Sequence, residues 1–156
     1  MFGEEASVMV SSKDFSFSFN PNDYPVSTFY QGKLGFNKHY YSLIAMMNEE
    51  EAECAFIIDQ THEVKYWVRN LERNSHYAFW LPTSTDRFYP DFVIKLNAGR
   101  LLIVEYKGEH LRNEDTEEKK RIGKVWAEKS GNLFLLAWKK EQAGSNLSSQ
   151  IKGIIL

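Results

Sequence analysis

Residues 88–108 read FYPDFVIKLNAGRLLIVEYKG, and this stretch decides how the middle of the chain folds. Two runs rich in β-branched and large apolar residues, 88–96 and 100–108, predict two strands. Asn97-Ala98-Gly99 between them is typical of a hairpin turn, because glycine adopts the left-handed backbone conformation that such turns need. The sequence therefore predicts an antiparallel hairpin.

The length of the loop sets the register of this hairpin. With a three-residue loop and Gly99 in the left-handed conformation, Leu96 pairs with Arg100, and counting back sets Asp91 directly opposite Glu105. A two-residue loop would shift the register by one and turn Asp91 to the other face. Two opposed carboxylates, about 5 Å apart at Cβ, repel each other unless a cation lies between them.

Glu105 and Lys107 lie at the end of an otherwise apolar predicted strand, which indicates a catalytic or metal site. Alternation places Glu105 and Lys107 on one face, and burying unpaired charge is costly. Mg²⁺ prefers a few carboxylates with water and phosphate oxygens, so we interpret Asp91 and Glu105 as metal ligands. Lys107 would orient or deprotonate an attacking water, or stabilise charge that develops on phosphate. The backbone carbonyl of Tyr106 is a further candidate ligand. The alternative is a surface ion pair between Glu105 and Lys107 on an edge strand.

A third acid is expected from a helix that precedes the hairpin. Residues 49–59 read EEEAECAFIID, with Asn48 as N-cap and three glutamates at the positive end of the helix dipole. Glu51 is the candidate, with Glu50 and Glu53 as competitors. The alternative is that these glutamates only stabilise the helix N-terminus.

The rest of the chain predicts a mixed α/β domain. Strands are expected at 64–70, 76–82 and 132–139, and an amphipathic helix at 113–130 that Gly131 ends. DFSFSF at 14–19 predicts a short strand, 20–35 is irregular, and the tail favours a short helix. We expect one domain over 1–156, with an irregular extension at 1–35, a core at 36–139 and a C-terminal tail at 140–156.

Composition narrows the class of protein. The chain has 156 residues, 43% of them hydrophobic and 26% charged, which is typical of a soluble globular domain. We expect a cytoplasmic protein, because the N-terminus lacks the features of a signal peptide and no apolar run is long enough to span a bilayer. The single cysteine, Cys54, is expected to be buried and fits a reducing compartment. A net charge of −2 argues weakly against a protein that coats nucleic acid.

Several basic residues are candidates to line a DNA groove, where phosphate contacts would dominate affinity. The alternative for each is a solvated surface position. The four that we single out are Arg69, Arg73, Arg87 and Lys119.

The central part of the sequence resembles a known nuclease family. The residues that carry the resemblance are 66–73 (YWVRNLER), 79–82 (FWLP), 88–92 (FYPDF), Gly99-Arg100 and 104–108 (VEYKG). They resemble the C-terminal endonuclease domain of type III restriction enzymes and related helicase-nuclease subunits, within the PD-(D/E)xK nuclease superfamily. The resemblance runs from about Phe36 to Trp138.

This resemblance implies a restriction-endonuclease-like α/β fold, with a central mixed β-sheet flanked by helices, and Mg²⁺-dependent cleavage of DNA, with Mn²⁺ as a substitute. The family's metal aspartate falls on Asp91, its second acid on Glu105, its lysine on Lys107 and its first-helix acid on Glu51. Relatives in this family usually follow a helicase motor, but this sequence contains no GxxxxGK[ST] loop, so the expectation is either an excised domain or a stand-alone protein that does not couple cleavage to ATP-driven translocation.

The expectation is therefore an endodeoxyribonuclease domain that serves restriction or DNA processing. Its implied partners are DNA and a helicase/ATPase or methyltransferase subunit. A second copy of the chain is a further candidate partner, because double-strand cleavage by one site needs a partner copy or two sequential nicks. Two rival interpretations stay open: a catalytically silent DNA-binding or assembly module, and an RNA-directed or structure-specific nuclease.

Overall fold

A four-stranded mixed sheet forms the centre of the protein in a computed structural model that describes residues 24–73, 76–108, 114–139 and 144–156. Its strands, in chain order, are β1 (Val64–Arg69), β4 (Phe92–Leu96), β5 (Leu101–Lys107) and β6 (Leu133–Trp138). They lie side by side in that same order. A separate two-stranded sheet pairs β2 (Leu81–Pro82) with β3 (Arg87–Phe88).

The strand directions follow from the connections. β1, β4 and β5 are antiparallel neighbours, whereas β6 runs parallel to β5. Parallel neighbours need a long crossover, and the helix α2 (Glu114–Ser130) lies between these two strands in the chain. The coarse expectation of a mixed α/β domain is confirmed.

Two more helices complete the described part of the chain. α1 (Glu49–Gln60) begins at the predicted N-cap, where Asn48 and Glu51 form a reciprocal capping box. α3 (Leu147–Ile155) begins after Asn146, whose side chain accepts a hydrogen bond from the amide of Ser149. Gly131 ends α2 as predicted, with a φ of 77° that other residues rarely adopt.

Hydrophobic residues alternate between the two faces of the sheet and build two core clusters. On one face, Trp67, Ile94 and Leu102 pack with α1 and α3. On the other face, Ile103 and Trp126 belong to a cluster in which α2 covers the sheet. The predicted burial of Cys54 is confirmed, and the fully buried Ile151 extends the core beyond residue 139.

Two of the predicted strands are shorter in the structure than the sequence predicts. Of 76–82, only Leu81–Pro82 is in a strand, because the side chain of Asn70 takes the backbone hydrogen bonds of Phe79. The expected strand at 88–96 is broken before Phe92, where Pro90 lacks the N–H that a sheet ladder needs. The strand expected at 14–19 lies outside the described residues. In the described part of the chain, every helix is too short or too polar to cross a membrane.

Candidate metal and catalytic site

The hairpin register brings Asp91 and Glu105 together. The loop 97–99 has three residues, Gly99 has a φ of 104°, and the amide of Leu96 donates to the carbonyl of Arg100. Phe92 pairs with Val104, so continuing the register by one residue sets Asp91 opposite Glu105. The amide of Asp91 donates to Glu105 Oε1 over 3.2 Å. The loop is therefore the three-residue turn that the metal-site interpretation requires, and not the two-residue alternative.

Asp91 is tied to the strands on both sides of it. On the β5 side, the amide of Tyr106 donates to Asp91 Oδ2 over 2.7 Å. On the β1 side, Arg69 Nη1 lies 2.8 Å from Asp91 Oδ1, and the amide of Asn70 donates to the Asp91 carbonyl. Both carboxylate oxygens and the backbone of Asp91 are therefore fixed before any ligand arrives.

Arg69 connects the predicted first-helix acid to this position. Its Nη2 lies 3.2 Å from Glu51 Oε1, the same oxygen that accepts the capping hydrogen bond from the amide of Asn48. Burial raises the pKa of Glu51, and the neighbouring Arg69 opposes that shift. Glu51 thus both caps the helix and reaches the site, but it does so through a guanidinium rather than by contact with Asp91.

The competing glutamates of the same helix turn lie elsewhere. Glu50 accepts a hydrogen bond of 2.7 Å from the hydroxyl of Tyr106, and Lys139 lies 3.9 Å from it. Glu53 is exposed. Within the described residues, Glu51 is the one candidate of the three that forms an ion pair with a residue in contact with Asp91.

Glu105 faces two lysines from different elements. Lys107 Nζ and Lys119 Nζ each lie 3.7 Å from Glu105 Oε2, and Lys119 also pairs with Asp115 at 3.3 Å. Glu105 is only 7% exposed. Burial first and Asp91 second raise the pKa of Glu105 well above its ordinary value, while the two lysines oppose the shift. Burial alone would lower the pKa of Lys119, but the facing carboxylates raise it overall.

The predicted DNA-contacting residues divide by position. Lys119 lies beside Glu105, and Arg69 lies inside the carboxylate cluster with 8% of its surface exposed. Arg87 stacks over the ring of Trp80 at 4.3 Å, and Arg73 is exposed with a positive φ of 57°. Arg69 is therefore a buried ion-pair partner, whereas Arg73 is an exposed surface residue.

Two residues that contact the end of the site near Arg69, Asn70 and His39, were not predicted as parts of it. Asn70 joins the backbone of Asp91 to that of Phe79, and His39 Nε2 accepts a hydrogen bond from the amide of Arg69. Burial lowers the pKa of His39 to about 4, which keeps that nitrogen free to accept. The local sequence carries no signal for either contact, because both join positions far apart in the chain.

The donor set suits a hard divalent cation. No group of three or more His, Cys, Asp or Glu side chains in the described ranges is spaced to hold a metal ion. Asp91 and Glu105 form a pair, and one or two carboxylates with waters and substrate phosphate is the usual protein contribution to a Mg²⁺ site. The raised pKa of Glu105 also indicates that its ionised form lacks full compensation from the lysines.

Comparison with known proteins finds no relative of this chain. No protein-family profile, no curated protein and no solved structure matches it. The nuclease resemblance of the motifs therefore stays a prediction, and the functional argument depends on the geometry of the site.

Proposed function

We propose that this chain is a metal-dependent endodeoxyribonuclease domain with a restriction-endonuclease-like fold of the PD-(D/E)xK type. One observation carries the proposal: Asp91 and Glu105 oppose each other at the ends of adjacent strands, and Lys107 lies on the Glu105 side of the pair. A mixed sheet with helices against it agrees with that fold. An isolated surface ion pair would not explain why Glu105 is buried beside a second carboxylate.

Asp91 and Glu105 would hold the ion, with the Tyr106 carbonyl as a third ligand. When bound, Mg²⁺ acts as a Lewis acid on a phosphate oxygen and makes a water molecule more acidic. The hydrogen bond from the amide of Tyr106 fixes one oxygen of Asp91, and the amide of Asp91 fixes one oxygen of Glu105. The two carboxylates are therefore preorganised, which lowers the cost of binding a cation.

Lys107 is the proposed catalytic cation. Its ammonium carries three donors and lies beside Glu105, at the end of β5 where the strand leaves the sheet. There it would orient the attacking water, or stabilise the negative charge that develops on phosphate. Lys119 adds a second positive charge on the same side and favours an anionic substrate.

The proposed substrate is DNA, in restriction or another DNA-processing system. Phosphate contacts by Lys119 and Arg73 would supply affinity without sequence information. A helicase/ATPase or methyltransferase subunit would then choose where the domain acts, and a second copy would be needed for concerted double-strand cleavage.

A second candidate function has its own supporting observation. Arg69 already neutralises both Glu51 and Asp91, which is how a fold that has lost catalysis would satisfy leftover carboxylates. On that interpretation the chain is a silent DNA-binding or assembly module. The intact Lys107 beside Glu105 favours the nuclease instead.

Plasmid cleavage separates the two functions. Supercoiled plasmid is incubated with the protein in Mg²⁺, in Mn²⁺ or in EDTA, beside Asp91→Asn and its matched surface control Asp86→Asn. We expect nicking that needs metal, is lost in Asp91→Asn and is retained in Asp86→Asn. A parallel reaction on single-stranded RNA tests the RNA-directed alternative. Binding of DNA without cleavage under any metal would support the silent module, and equal cleavage by Asp91→Asn would reject the proposed site.

A further inference from the structure

Arg69 is buried at the end of β1 with every nitrogen of its guanidinium engaged. Nη1 meets Asp91, Nη2 meets Glu51, and Nε donates to the carbonyl of Met46 over 3.1 Å. The ring of Phe92 lies against the guanidinium at 5.5 Å. Burying a charge in such a place is costly unless it is fully paired, so the two carboxylates and Arg69 form one unit.

Arg69 is already paired with Asp91, the carboxylate that the metal would use. Asp91 Oδ1 is 2.8 Å from Arg69 Nη1, so a divalent cation on Asp91 would lie close to a fixed positive charge. Two cations that share one carboxylate repel each other, and the repulsion is weakly screened where water is excluded. Arg69 therefore organises Asp91 and opposes metal binding at the same time.

Space beside Arg69 would let the two cations coexist. The side chain lines a cavity of about 340 Å³ that is bounded by residues 25–28, Met46 and Asn70-Leu71-Glu72. Glu51, in the first turn of α1, and the carbonyl of Met46, just before that helix, hold the other two nitrogens of the guanidinium. A shift of the guanidinium toward this space would relieve the repulsion when a divalent ion binds Asp91.

We propose that Arg69 is a resident counter-cation of this cluster, which holds Asp91 in place without metal and competes with the divalent ion for it. This inference rests on the proposed function, since it takes Asp91 as a metal ligand. It makes Arg69 a positioning residue that sets the metal affinity of the site, and not a contact for DNA phosphate.

Metal binding without any nucleic acid tests the inference. Mn²⁺ is titrated calorimetrically into the metal-free wild-type protein, Arg69→Gln and Arg69→Lys, and the thermal unfolding midpoint is followed at the same Mn²⁺ concentrations. We expect Arg69→Gln to bind Mn²⁺ roughly tenfold more tightly than wild type, because a fixed positive charge is gone. Arg69→Lys keeps the charge and should stay within about threefold of wild type.

The Gln variant leaves Glu51 and Asp91 uncompensated, so it should be less stable without metal and gain more from Mn²⁺ than wild type does. If it is unfolded without metal, Mn²⁺ should restore folding, and the double variant Arg69→Gln/Asp91→Asn should lose that rescue. Equal or weaker Mn²⁺ binding by Arg69→Gln, beside a wild type that binds, would overturn the inference alone. Rescue that survives in the double variant would also overturn it, because the metal would not be on Asp91. No Mn²⁺ binding by either protein would overturn the metal site, and the proposed function with it.

Discussion

Asp91 and Glu105 face each other across two strands, but their charges are balanced in different ways. Asp91 has a guanidinium at 2.8 Å and an amide at 2.7 Å. Glu105 is about as buried, but its nearest cations, Lys107 and Lys119, are both at 3.7 Å. Asp91 with Arg69 and Glu51 forms the Asp91 half of the site, which is tightly paired, whereas the Glu105 half, Glu105 with Lys107 and Lys119, has only longer ion pairs. Removing a partner of Arg69 should therefore lower stability most, whereas removing a lysine charge beside Glu105 should lower activity without much loss of stability.

The largest expected effect tests the Glu105 half. Replacing Lys107 with methionine keeps the aliphatic stem but removes the charge, so plasmid nicking should fall by roughly 100- to 1,000-fold. The free energy of unfolding should change by less than about 1 kcal/mol, because the pair is loose. Initial rates of nicking in Mg²⁺ and urea unfolding measure the two quantities. Lys124→Met, at an exposed position of α2, is the matched control. A Lys107→Met protein that nicks at the wild-type rate would remove the distinction between the halves.

A smaller effect, on stability, tests the Asp91 half. Glu51→Ala removes both an Arg69 partner and one arm of the capping box, so the free energy of unfolding should fall by about 2 kcal/mol. Glu49→Ala changes an exposed glutamate of the same helix turn and should cost far less. Urea unfolding of both variants gives the comparison. Equal losses in the two variants would mean that Glu51 contributes only to the helix dipole.

The smallest expected effect is a pH dependence of stability that comes from Glu105. Burial and Asp91 raise the pKa of Glu105, so the folded protein holds that proton more tightly than the unfolded chain does. The resulting stability is complete below the ordinary carboxyl pKa near 4.5 and is lost as the pH rises through the raised value. In EDTA, Glu105→Gln should therefore have a slightly higher urea midpoint than wild type at pH 8, and the gap should close toward pH 4.5.

Glu128→Gln, which is exposed on α2, should show no such pH-dependent gap. A Glu105→Gln protein that is less stable than wild type at pH 8 would instead show that Lys107 and Lys119 compensate the buried carboxylate fully.

Short-range rules were enough to predict the central hairpin. The left-handed glycine at 99 set a three-residue loop, and the loop set the pairing of Asp91 with Glu105. The capping residues of α1 and the end of α2 at Gly131 likewise depend on a few adjacent positions. In each case the deciding contact lies within a few residues along the chain.

Contacts between positions far apart in the chain could not be predicted from the sequence. Nothing near Arg69 in sequence indicates that its guanidinium is buried between Glu51, 18 residues before it, and Asp91, 22 residues after it. The aromatic stretch 76–82 looked like a strand because of its composition, but a side-chain amide nine residues upstream replaces the expected partner strand. Such outcomes depend on which elements pack together, which propensity does not encode.

The shared oxygen of Glu51 has a consequence for local motion. Glu51 Oε1 accepts from the amide of Asn48 and pairs with Arg69, so one oxygen serves both the cap of α1 and the cluster around Asp91. Helix ends fray more readily than helix centres, and fraying here would break both contacts at once. Opening of the first turn of α1 would then leave Asp91 as the only carboxylate paired with Arg69 in the cluster, and amide exchange in that turn would report how often the Glu51 contact opens.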